Sequence, residues 1–194
     1  MRTATLLELQ GESLLYKVGW VLKAASKDIT RYVLCDRFWL TTRPKFGDDK
    51  WIICTDGRRL HAAKVPEILI PDCDCGVYSM LATSKGKILV QFEKDETFPK
   101  AWHVVPKLTD NPAKVWVSEK TNNGELFKVF LAIHNKSKVW VNDQFIIEAI
   151  KGFKSDNMYC HSTSNIEAVL IVDNEKESEI TKLVVVMPLR VEEK

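Results

Sequence analysis

The chain has 194 residues, 45% of them apolar and 28% charged, with a formal net charge of +2. Those values exclude a disordered or collagen-like chain, and no run reaches the ~18 apolar residues of a membrane span. The five cysteines (Cys35, Cys54, Cys73, Cys75 and Cys160) are odd in number and lack framework spacing. That predicts free thiols in a reducing, cytoplasmic compartment. The opening MRTATLLELQGES shows no small-residue cleavage site, so no secretory signal is expected. Cys73-Asp74-Cys75 has only Cys160-His161 as a second candidate pair, so neither a metal nor a cofactor is expected.

Charge is uneven. Residues 1–66 hold 12 Lys and Arg against 7 Asp and Glu, residues 67–136 hold 9 against 9, and residues 137–194 hold 7 against 10. Attraction for a polyanion therefore falls on the first third.

In chain order, Thr3–Leu9 reads as a short strand. Ser13 is placed as the N-cap of a helix in which Leu14, Leu15, Val18, Val21, Leu22 and Ala25 share one arc. Lys17, Trp20, Lys23, Ala24 and Lys27 take the opposite side. Tyr32–Thr41 is rich in strand formers, and Lys45–Asp49 supplies a turn. Lys50–Thr55 is a second strand, Asp56-Gly57 a tight turn, and Leu60–Val65 a returning strand. Residues 71–86 show no sustained period. Lys87–Phe92 reads as a strand, and Phe98–Pro106, bracketed by prolines, as extended chain. Val115–Glu119 and Leu126–Ile133 read as a hairpin across Asn123-Gly124. Lys138–Val141 is a strand, and Asn142 caps a helix burying Phe145, Ile146, Ala149, Ile150 and Phe153. Strands follow at Met158–Ser162, Ala168–Asp173 and Leu183–Arg190, with a charged turn at Asn174–Glu179.

Two segments thus share the order strand, helix, strand, strand, strand: about 1–66 and about 137–194. Each is a sheet with one helix on one face. Side by side under two helices they make one two-layer α+β domain over 1–194, with a strand-rich middle insertion at about 67–136.

Three stretches carry a family resemblance. Cys54–Leu60 (CTDGRRL) resembles the ATDGHRL signature of the bacterial DNA polymerase III beta subunit, the sliding clamp. Phe98–Pro106 (FPKAWHVVP) is similar to that family's FPDYRRVLP, and Val185–Val191 (VVMPLRV) to its VVMPMRL. They stand in the family's order. The helix VNDQFIIEAIKGF is similar to the clamp's last helix, and Val115–Glu119 to a strand of its third domain.

The resemblance implies a shortened DNA-clamp-like fold, with two β-α-β-β-β halves forming a continuous sheet under two helices. The family chain has three such domains and closes a dimeric ring on DNA. Nothing here corresponds to its amino-terminal domain, and a homo-oligomeric ring of one-domain chains would need about six copies.

The resemblance also implies a non-enzymatic replication protein. Its pocket would hold short linear peptides of polymerase or repair partners. Carried over, the wall is Thr55, Gly57, Arg58, Arg59 and Leu60, then Pro99, His103 and Val104, then Val185, Val186, Met187, Pro188, Leu189 and Arg190. Arg58 and His103 replace the family's usual His and Arg. Lys17, Lys23 and Lys27, with Lys151 and Lys154, would face double-stranded DNA. The alternative is a protein-interaction adaptor of clamp ancestry that does not bind DNA. Catalysis is not expected: no HExxH, GxSxG or phosphate-loop pattern occurs.

Overall fold

The computed structural model describes residues 6–42, 49–66, 70, 73–84, 86–118, 123–153 and 156–189. The chain divides into two compact units, Met1–Trp102 and His103–Lys194. Both combine antiparallel strands with α-helices. Residues 67–136 are divided between them. Among the described residues no helix is long and apolar enough to cross a membrane.

The first unit contains β1 (Leu6–Gln10), α1 (Glu12–Val21), β2 (Arg37–Thr42), β3 (Lys50–Thr55), β4 (Arg59–Val65), β5 (Gly76–Ser84) and β6 (Lys87–Glu93). Its strand order is β1-β6-β5-β2-β3-β4. β3 buries every residue after Lys50, so it reads as a continuous apolar run rather than an alternating one. It pairs with β4 through Ile53 opposite Ala62, Cys54 opposite His61 and Thr55 opposite Leu60. α1 packs on β3 and β4, burying Leu14, Val18 and Val21, spaced four and three residues apart.

Two expectations for α1 are corrected. Its N-cap is Gly11, with φ at 96°, and Ser13 lies inside the helix. Only glycine takes that backbone angle without steric cost, so the cap falls there. Trp20 and Ala24 are buried, not exposed. The Trp20 ring stacks on His61 at 4.9 Å, and its carbonyl lies 3.1 Å from His61 Nδ1. α1 gives way to a 3₁₀ turn at Leu22–Ala24, and Trp20 closes over β4 just before it.

β5 was hidden by its own sequence. A register shift between Met80 and Ala82 interrupts the alternation, and its last four residues are exposed. Tyr32–Leu34 belongs to a 3₁₀ segment rather than to a strand, and Ala101–Val104 forms a 3₁₀ turn where extended chain was expected.

The second unit contains β7 (Ala113–Val117), α2 (Asn123–Ser137), α3 (Asp143–Ile150), β8 (Asp156–His161), β9 (Val169–Val172) and β10 (Lys182–Val186). Its strands run in the order β10-β9-β8-β7. Asn142 occupies the N-cap position of α3 but makes no side-chain capping bond, and the helix buries Ile146, Ala149 and Ile150. Phe153 follows in a 3₁₀ turn and is also buried. Asp173 closes the β9–β10 connection, its Oδ1 accepting from the amides of Thr181 at 2.9 Å and Lys182 at 3.1 Å.

The expected hairpin across Asn123-Gly124 is a helix instead. Val129 and Ile133 are one turn apart and buried, and α2 packs on β7 and β8. That helical period outweighs the turn signal of Asn-Gly. Lys138–Val141 is irregular rather than a strand. Lys138 has φ at 59°, and its amide donates to the His134 carbonyl at 2.7 Å, finishing α2.

The α1 packing gives a stability prediction. Leu14 is fully buried and Leu15 half-buried. Leu14→Ala is expected to lose about 2–5 kcal/mol in urea unfolding, and Leu15→Ala less than half of that loss. Equal losses would refute this placement of the helix face.

Candidate functional site

The turn between β3 and β4 is organised by Asp56. Its Oδ1 accepts from the amides of Arg58 at 2.8 Å and Arg59 at 3.0 Å. Its Oδ2 accepts from Arg59 Nε at 3.2 Å. Such side-chain bonding to the following amides is why aspartate favours turns. Thr55 Oγ1 donates to the Arg59 carbonyl and accepts from the Gly57 amide at 3.0 Å. Arg31 Nη1 donates to the Asp56 carbonyl. Gly57, at φ 84°, completes the bend.

Of the residues expected here, Thr55, Arg59 and Leu60 are buried, whereas Gly57 and Arg58 are exposed. Arg59 forms an ion pair with Asp56. Its guanidinium thus has a structural role in the turn, which its sequence position did not disclose. Pro99 is exposed beside buried Phe98, whose ring stacks on Trp39 at 5.7 Å.

In the second unit, His103 and Val104 are exposed. β10 pairs with β9 as far as Val186 opposite Val169, and Val185 and Val186 are buried. The chain then leaves the sheet. Met187 and Leu189 are 44% and 49% exposed, and Pro188 is half-buried. The Leu189 amide donates to the Trp140 carbonyl at 2.8 Å. Arg190 lies outside the described residues.

Trp140 itself is 56% exposed, and its ring contacts His134 at 4.7 Å. The sequence reading placed no functional role on it. The signal was present as a tryptophan between the buried Val139 and Val141.

Among the five lysines expected to face DNA, Lys23, Lys27 and Lys151 are exposed. Lys17 Nζ donates to the Lys64 carbonyl at 2.8 Å, tying α1 to β4. Lys154 lies outside the described residues. Among the described residues no group of three or more His, Cys, Asp or Glu gathers for a metal. Burial pushes the Cys160 thiol up to about 12 and raises that of Cys54 further, so neither is a ready nucleophile.

No protein-family model matches the chain, and no curated protein does. Solved structures do. The DNA polymerase III beta subunit of Thermotoga maritima aligns with 98% of this chain and 67% of its own, at 16% identity and a TM-score of 0.60. The beta chain from Streptococcus pneumoniae aligns with 98% and 66%, at 12% identity and a TM-score of 0.64. The sliding clamp of Bartonella birtlesii, bound to griselimycin, aligns with 96% and 66%, at 17% identity and a TM-score of 0.60. The chain therefore has a shortened α+β sliding-clamp fold, and its alignment spans about two thirds of those clamps' length.

Two predictions follow from this geometry. A Cβ at Gly57 would lie 3.0 Å from Arg31 Nη1, at a positive φ. Gly57→Ala is expected to lose ~1–2 kcal/mol, read as a lower urea midpoint; an unchanged midpoint would contradict the turn geometry. His161 accepts from the Thr109 amide at Nδ1, at 2.9 Å, and desolvation holds its pKa below the ordinary His value. The neutral ring's contribution is complete above pH ~6.5 and is lost as pH falls, because the unfolded chain protonates first. Unfolding free energies at pH 7.5 and pH 5.5 should differ less in His161→Gln than in wild type.

Proposed function

We propose that this chain is a non-enzymatic, clamp-like module of DNA replication that binds short linear peptides of polymerase or repair proteins. The reading draws on the Val185–Leu189 stretch of the second unit and on the Thr55–Leu60 turn of the first, each taken by itself; Pro99, His103, Val104 and Arg190 enter it through the resemblance alone. The observation that carries this reading is the end of β10. An apolar run buried through Val186 continues into Met187 and Leu189, which stay exposed while a backbone bond fixes Leu189. Exposed, positioned apolar residues on a clamp fold are what a peptide groove requires. Methionine is suited to such a surface because its unbranched chain adapts to varied side chains.

DNA contact is a separate part of the proposal. Lys23, Lys27 and Lys151 are exposed, and exposed lysines are what phosphate contact requires. Lys17 is committed to a backbone carbonyl, which favours the adaptor alternative over close tracking of duplex. A gel shift across salt concentrations separates the two. A DNA-contacting module binds duplex with a steep salt slope, which Lys23→Glu with Lys27→Glu flattens; an adaptor gives no shift.

The peptide site is tested by titrating a labelled clamp-motif peptide by fluorescence anisotropy. Wild type is expected to bind, and the double variant Met187→Ala, Leu189→Ala to weaken binding about tenfold or more. Both residues are exposed, so the variant should keep the wild-type melting curve. No wild-type binding, or equal affinity in the variant, would sink the proposal.

A further inference from the structure

The outer face of α2 carries a second feature that the peptide reading does not use. Phe127 is 62% exposed, and Leu131, one turn on, is 40% exposed. His134 continues the same stripe and meets the ring of Trp140 at 4.7 Å. Residues spaced by four and three share one helix face, so Phe127, Leu131, His134 and Trp140 form one strip, the helical part about 10 Å long. Opposite it, Val129 and Ile133 occupy the core of the unit.

The charged residues from Leu126 to Val141 are all lysines, with Glu125 just before them on α2. Residues 126–141 contain Lys128, Lys136 and Lys138 and no Asp or Glu, and all three lysines are exposed. We propose that this face of α2 docks an acidic amphipathic helix of a partner protein. The partner's apolar stripe would cover Phe127, Leu131 and Trp140, and its carboxylates would meet the lysine rim. Apolar anchors fix such a complex, while the charges favour acidic partners and speed encounter. Single-stranded nucleic acid fits less well. It needs open aromatic platforms, whereas Leu131 is aliphatic and Trp140 already lies against His134.

The probe is a labelled synthetic peptide with Leu or Phe at i, i+3, i+4 and i+7 and Asp or Glu elsewhere, titrated into the full chain. Wild type should bind it, more weakly as salt rises. Phe127→Ser with Leu131→Ser should weaken it about tenfold, as should Lys128→Glu with Lys138→Glu. A peptide with lysine in place of its acids should not bind. Trp140 also holds Leu189, so Phe127 and Leu131 are the discriminating positions. Met187→Ala, which tests the other site, should leave this binding unchanged, so the two proposals fail separately. Absence of binding or unchanged affinity in both double variants would overturn the proposal. So would oligo(dT) binding lost in the same variants, or a wild-type dimer, seen by sedimentation, that they dissociate.

Discussion

Where β10 stops pairing decides what the terminal apolar run does. From Leu183 to Val186 every residue is buried and matched to β9. Beyond Val186 the ladder cannot simply continue, because Pro188 has no amide hydrogen to donate. The next amide, on Leu189, is taken by the Trp140 carbonyl instead. One run of similar side chains therefore divides into a core strand and an exposed segment. The division is made by the backbone, since valine, methionine and leucine differ little in their preference for burial.

A comparable allocation governs the β3–β4 turn. A carboxylate has about four acceptor positions, and Asp56 uses three of them on the amides of Arg58 and Arg59 and on the Arg59 guanidinium. The turn is stiffened, and one of its two arginines becomes part of it. Arg58, by contrast, keeps its side chain in solvent. Adjacent residues of the same type thus differ in role, and of the two only Arg58 is exposed. Lys17 repeats the pattern on α1, where a lysine that looks like part of a basic face anchors a helix to a strand.

These allocations set what could be read from the sequence. The β3–turn–β4 unit was legible because an apolar run, Asp-Gly and a second run all agree. α3 was legible because Asn142 precedes a regular stripe of Ile146, Ala149 and Ile150. α2 was not, because Asn-Gly and its valine and phenylalanine residues mimic a hairpin, and only the packing of Val129 and Ile133 chooses the helix. β5 was lost to its register shift. Trp20 was misplaced because its burial depends on His61, a long-range stacking partner that no local period reveals. The Thr55–Leu60 turn and the Val185–Leu189 stretch carried motifs, whereas the strip on α2 became visible only once the helix existed.

The size of the exposed surfaces bears on how tightly a partner could be held there. Burying a side chain such as Met187 or Leu189 contributes about 1.5–3 kcal/mol. Association itself costs roughly 4–15 kcal/mol in lost freedom, with ordering of side chains in addition. Two anchors therefore do not hold a peptide alone. Leu189 is already fixed by its bond to Trp140, which lowers the ordering cost on the protein side. The remainder must come from further contacts, and a linear peptide supplies them through its backbone. A partner gripping this chain through a few anchors and several hydrogen bonds would bind weakly and exchange rapidly, so that successive partners could share one surface.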